Sequence, residues 1–93
     1  MLSEMPIKLE RVSKGDQEKE ILRIGMIAEL DAVSLYEQLA AMSENQHIKR
    51  VFLDIAKEEK TYVGEFQALL VMQDTEQEQE LEEGRKEVDE LKP

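Results

Sequence analysis

The chain contains no cysteine, which excludes disulfide bonds and thiolate metal ligands. A metal site in it must therefore be rich in oxygen donors. Basic residues are also scarce, because 12 Lys and Arg stand against 22 Asp and Glu and leave a formal net charge of -10. This balance argues against nucleic acid and anionic membranes as partners. It suits a protein that handles cations, although acidity serves solubility equally well.

The sequence also lacks long apolar runs. No segment approaches the roughly 20 apolar residues of a transmembrane helix. Residues 1–10 have no apolar core of the kind found in a signal peptide. We therefore expect a cytoplasmic protein without a membrane partner. There is no internal repeat or glycine-rich phosphate loop, and 93 residues leave room for one small domain.

Apolar residues recur at a three-four spacing in two long segments, which predicts two amphipathic helices. The first is expected to begin at Ser13 or Asp16, whose side-chain oxygen can cap it, and to end near Met42. After a short turn, Asn45 can cap the second helix. A short connection makes neighbouring helices antiparallel, so the sequence predicts an all-α helical hairpin.

The chain divides into three parts by composition. Residues 16–73 are the expected hairpin, and residues 1–15, which include Pro6, are an irregular lead-in. Residues 74–93 are acidic, with few apolar side chains, and Gly84 costs a helix there about 1 kcal/mol. Two interpretations of this last part are open: a short third helix that depends on docking, or a solvated tail.

Each helix of the hairpin carries a carboxylate where its apolar stripe calls for a hydrophobic residue. Glu29 takes the stripe position between Met26 and Val33, and Glu59 lies one turn before Tyr62. An unpaired buried carboxylate costs several kcal/mol, so both need compensation. It can come from a metal ion or from an ion pair with a basic neighbour (Arg23, Lys57 or Lys60). Because no such neighbour shares the stripe, the pattern favours a metal.

The apolar surface of the first helix predicts self-association. That helix is apolar over more than half its circumference, which is too much for one partner helix to cover. Pairing of two chains into a four-helix bundle solves the problem, so we expect a homo-oligomer with the dimer as its unit. A symmetric dimer would collect Glu29 and Glu59 from each chain around two metal ions. Such oxygen ligands favour iron, manganese or calcium, and oxygen chemistry selects iron.

Two segments resemble the encapsulated ferritins, ferritin-like proteins held inside encapsulin nanocompartments. They are residues 28–33 (AELDAV) with the following Leu35-Tyr36, and residues 55–62 (IAKEEKTY). The resemblance implies a ferroxidase that oxidises Fe(II) to Fe(III) at a di-iron centre between subunits. It further implies a ring of dimers enclosed by an encapsulin shell in the cytoplasm, where the product iron is stored. Calcium or manganese are the expected substitutes for iron.

The same resemblance assigns roles to individual residues. Glu29 and Glu59 correspond to the iron ligands, and Tyr62 stands where the family has a histidine ligand. Asp31 matches one of the acidic residues that attract cations near the first ligand. Glu58, beside Glu59, is a candidate for an outer iron site, with a solvated or interfacial carboxylate as the plainer interpretation.

Tyr62 is the main departure from the family pattern. The chain's one histidine, His47, lies about 18 Å from Glu59 along an ideal helix and cannot replace the missing ligand within the chain. A phenol ligates ferric iron as a phenolate, but ferrous iron must first displace its proton. Tyr62 is therefore a phenolate ligand, a sign of an impaired centre, or an aromatic filling the bundle.

Two other functional classes remain open. In a non-catalytic helical assembly module the acidic stripe positions would only set the register. A rubrerythrin-like peroxide reductase is disfavoured, because the cysteines of a rubredoxin iron site are missing. No small apolar cargo-loading motif appears at the end of the chain. An N-terminal domain of a fusion to the shell protein would fit that observation.

Overall fold

The computed structural model describes residues 8–93, apart from the side chain of Leu9. Within that range a short 3-10 turn (Leu9–Arg11) precedes three helices, α1 (Lys14–Met42), α2 (Gln46–Gln73) and α3 (Thr75–Glu90). The predicted all-α class is confirmed. Residues 1–7, the first part of the expected lead-in with Pro6, lie outside the described residues. The division at residues 15 and 73 stays a prediction.

The two long helices begin at different kinds of cap. The Asn45 side chain accepts from the backbone N–H groups of His47 and Ile48 at 2.9 and 3.1 Å, which confirms the predicted cap of α2. Ser13 is the N-cap residue of α1, but its hydroxyl makes no capping hydrogen bond. It donates instead to Asp16 Oδ2 at 3.0 Å. The prediction of a side-chain cap from Ser13 was therefore wrong in mechanism, although the position was right.

The contacts between α1 and α2 define an antiparallel register. The Tyr36 and Phe52 rings stack with centroids 6.0 Å apart near the turn. Further from the turn, the Phe66 ring lies against Gly25, where an added Cβ would come within 3.3 Å of it. Glu29 lies between these two contacts on α1, so the register places it beside residues 59–62 of α2.

The hairpin buries little on its own. Among the described residues only Ala40, Ala56 and Leu70 are fully buried apolar residues. Large apolar side chains remain exposed on both long helices, among them Ile21, Ile27, Leu30, Ile48, Val51 and Leu69. A single chain therefore leaves apolar surface uncovered on both long helices.

The C-terminal segment forms the helix α3 rather than a solvated tail. Asp74 caps it by accepting from the Gln77 N–H at 3.0 Å. The same carboxylate pairs with Arg23 of α1, with Nη2 and Oδ2 3.2 Å apart. The sequence left open a docked third helix or a solvated tail, and the structure has the docked helix.

Candidate metal centre

Glu29 carries an unsatisfied buried oxygen. The residue is half-buried on α1, and its Oε2 atom is buried without a hydrogen-bond partner. It is the one side-chain atom in the described part of the chain with this property. Desolvation of an unpaired carboxylate oxygen costs free energy, and a cation bound to this atom would offset that cost.

The ion-pair alternative for Glu29 and Glu59 does not hold in the described residues. Arg23 pairs with Glu20 at 2.6 Å and with Asp74. Lys60 pairs with Glu37 at 2.9 Å, and Lys57 takes part in no salt bridge within residues 8–93. None of these three basic residues forms an ion pair with Glu29 or Glu59 within residues 8–93.

Glu29 opens onto a pocket between α1 and α2. The pocket has a volume of about 390 Å³ and is lined by Glu29, Tyr62, Glu65, Phe66 and Leu69. The four residues from α2 are spaced i, i+3, i+4 and i+7 and so share one face of that helix. Two carboxylates and a phenol thus line the pocket together with one aromatic and one aliphatic side chain.

The helix geometry brings some predicted site residues together and separates others. Glu29 and Tyr62 share the pocket, and the Tyr62 side chain is 41% exposed there. Glu59 is half-buried one turn away on α2 and is not part of the pocket lining. Asp31 is half-buried and turned by about 200° from Glu29 around α1. Glu58 is exposed.

Gly25 shapes the wall of the pocket. It lies one turn before Glu29, and the absence of a Cβ lets the Phe66 ring approach α1 closely. Phe66 is at the same time part of the pocket lining. The glycine thus fixes how near the aromatic wall comes to the Glu29 carboxylate.

Glu65 is the pocket residue that sequence reasoning missed. Its position at the edge of the α2 stripe is by itself typical of a solvated or interfacial carboxylate. The structure places it on the same pocket as Glu29, although it is exposed overall. Its i+3 spacing from Tyr62 was the available signal, but the predicted motif ended at Tyr62.

One chain does not assemble a full metal site. Within residues 8–93 no three His, Cys, Asp or Glu side chains are grouped so as to hold a metal ion. His47 is exposed at the start of α2, near the turn. The described residues of one chain thus leave the Glu29 pocket short of a full set of these ligands.

None of the helices in the described range is long and apolar enough to cross a bilayer.

The sequence profile of the Rubrerythrin family matches residues 20–93. A ferritin-like-encapsulin shell fusion protein of Pyrococcus furiosus is 50% identical, with the match covering 98% of this chain and 27% of the fusion protein. The chain thus spans about a quarter of that relative. The crystal structure of the encapsulated ferritin domain from Pyrococcus furiosus superimposes with a TM-score of 0.77 at 46% identity, covering 98% of this chain and 87% of that domain. The chain therefore belongs to the Rubrerythrin family and, as its sequence predicted, is a ferritin-like domain of the encapsulated type.

Proposed function

We propose that the chain is a ferroxidase that binds ferrous ions between paired subunits and oxidises them to ferric iron. The observation that carries this proposal is the buried Glu29 Oε2 atom without a partner, in a pocket shared with Tyr62. A carboxylate in that state is stabilised by a bound cation. Membership of a family of iron-handling oxidoreductases makes iron the best-supported cation.

Two features of the single chain support a two-chain centre. The described residues of one chain do not supply three grouped ligands, and both long helices expose apolar side chains. Two-fold pairing of hairpins would form a four-helix bundle that covers this surface. We propose that it brings Glu29 and Glu59 of both subunits around two iron ions. The dimer would be the catalytic unit and a ring of dimers the assembly.

These residues would act through the negative charge of their carboxylates. Two ferrous ions pass one electron each to dioxygen, which takes up two protons and leaves as hydrogen peroxide; hydrogen peroxide can serve as the oxidant in turn. The carboxylates favour the product because they stabilise the higher charge of ferric iron. Phe66 and Leu69 line the same pocket, and pairing of the subunits would cover them and limit water around the carboxylates, which strengthens the attraction between carboxylate and cation.

The outer carboxylates have accessory roles in this proposal. Asp31 and Glu58 lie away from the Glu29 pocket, so they would attract cations to the surface of the assembly rather than hold the reacting pair. Calcium or manganese would occupy the centre in place of iron, since both prefer oxygen ligands.

The biological setting is proposed from the fusion relative. Its name joins a ferritin-like part to an encapsulin shell, and this chain aligns with about a quarter of its length. We propose that the oxidised iron is stored inside an encapsulin compartment in the cytoplasm. The chain would be either a separate cargo protein or the ferritin-like part of such a fusion.

Oxygen-dependent oxidation of ferrous iron tests the function directly. The protein is mixed with ferrous ions without oxygen, oxygen is then added, and ferric absorption is followed against a protein-free control. Parent protein should oxidise iron faster than buffer, whereas Glu29→Ala and Glu59→Ala should not. Glu44→Ala, in the exposed turn, is the matched control and should keep the parent rate. A fully assembled parent that is no faster than buffer would instead be a non-catalytic helical module.

A further inference from the structure

We propose that Glu65 is a metal ligand of the Glu29 pocket. Each chain would then offer the cation two carboxylates and the Tyr62 phenol, an all-oxygen donor set that the paired subunit would complete. This inference rests on the proposed metal centre and adds a residue that the resemblance did not assign. It also names the class of ion, because hard oxygen donors prefer ferric iron and other hard cations.

The geometry of α2 places Glu65 at the pocket that contains Glu29. Tyr62 and Glu65 are three residues apart and therefore neighbours on the helix surface. Both line the pocket that contains Glu29, whereas Glu59 does not. Since α1 and α2 are antiparallel, Glu29 faces this part of α2 from the opposite wall. A cation at the Glu29 oxygen would thus lie on the side of α2 from which Glu65 projects.

Glu65 has no competing role within the described residues. Its side chain takes part in no ion pair or hydrogen bond there. Lys60 is paired with Glu37, and no Arg or Lys lines the pocket. Two carboxylates without a basic partner therefore face one pocket, and the Glu29 oxygen among them is buried and unsatisfied. Repulsion between like charges is relieved when a cation binds between them.

Glu65 also offers a replacement for the histidine nitrogen that the family has at the position of Tyr62. A phenol binds a metal well after giving up its proton, which makes it a weak ligand for a divalent ion at neutral pH. A carboxylate oxygen is a stronger donor for a hard cation. Glu65, one turn beyond Tyr62, offers such a donor to the same cation.

Terbium(III) provides a test that does not depend on iron oxidation. It is a hard cation that prefers oxygen ligands, and excited tyrosine sensitises its luminescence at short range. The chain has no tryptophan and two tyrosines. In a Tyr36→Phe background, sensitised luminescence therefore reports a cation beside Tyr62. Terbium affinity is measured by titration of the assembled protein, with helicity checked by circular dichroism.

Glu65→Gln keeps the shape of the side chain and removes its charge. We expect it to weaken terbium binding at least about tenfold. Glu44→Gln, in the exposed turn before α2, is the matched control and should bind as the parent does. Should Glu65→Gln lose its helicity, Glu65→Asp replaces it: the shorter side chain reaches less far, and an affinity equal to that of the parent overturns the proposal.

The outcomes separate this inference from the proposed function. Parent affinity in Glu65→Gln together with lost binding in Glu29→Gln overturns the role of Glu65 and leaves the metal centre in place. Parent affinity in both variants, or a parent without sensitised luminescence, overturns the Glu29 pocket as a cation site and Glu65 with it.

Discussion

The guanidinium of Arg23 on α1 binds the carboxylate of Asp74, the residue that caps α3. The Asp74 side chain is only 14% exposed, so the pair is partly shielded from water. Its second oxygen accepts from the Gln77 N–H. Because Asp74 joins α2 to α3, one carboxylate connects all three helices.

Asp74→Ala should release α3. It removes a helix cap, worth about 1 kcal/mol, together with a partly shielded ion pair. Hydrogen exchange of the α3 amides should accelerate, while α1 and α2 keep their protection. Asp89→Ala is the matched control, since the Asp89–Lys92 pair is exposed. Unchanged α3 protection in Asp74→Ala would mean that apolar contacts alone hold this helix.

Removing the charge of Glu29 should abolish metal binding without lowering the stability of the metal-free assembly. Glu29→Gln removes the charge of a carboxylate whose Oε2 atom is buried without a partner, so the free energy of unfolding of the metal-free assembly should stay equal or rise. The added stability that iron gives the parent should disappear. Thermal unfolding with and without metal measures both effects, and Glu59→Gln should behave alike. A strongly destabilised metal-free Glu29→Gln protein that still takes up iron would indicate a structural role.

The sequence predicted the helices well because their causes are local. Periodic apolar residues and the Asn45 cap act within a few neighbours, so the hairpin could be derived without coordinates. The position of α3 involves contacts between residues far apart in the chain, such as the ion pair of Arg23 with Asp74, and the sequence left it open. For the same reason the pocket partnership of Glu29 and Glu65 was not foreseen: it depends on the register between α1 and α2.

The role of Tyr62 should be measurable in the visible absorption of the iron-loaded protein and in its rate of ferrous iron oxidation. A phenolate ligand would give iron-loaded, oxidised protein a charge-transfer band, and Tyr62→Phe should remove that band. Tyr62→His should raise the rate of ferrous iron oxidation, because a neutral imidazole binds ferrous iron without first losing a proton. Visible absorption and stopped-flow kinetics provide the two measurements. A colourless iron-loaded parent and a Tyr62→His variant no faster than it would leave Tyr62 as an aromatic filling the bundle.

Two helical glycines should respond differently to alanine. Gly84→Ala should raise the free energy of unfolding by about 0.5–1 kcal/mol, since nothing lies within 4 Å of the new Cβ. At Gly25 the same gain is opposed by contact with the Phe66 ring at 3.3 Å. Gly25→Ala should therefore be less stable than Gly84→Ala and should bind terbium more weakly, because Phe66 moves into the pocket. Equal stabilisation and unchanged terbium affinity would show that the ring adjusts freely.

Native mass spectrometry after anaerobic addition of ferrous ions tests most directly whether iron binds between subunits through Glu29. We expect iron in pairs on species with an even number of chains, a shift toward these species as iron is added, and loss of both effects in Glu29→Gln. Helical monomers that bind iron by themselves, or dimers that bind iron equally well with and without the Glu29 carboxylate, would contradict a centre shared between subunits.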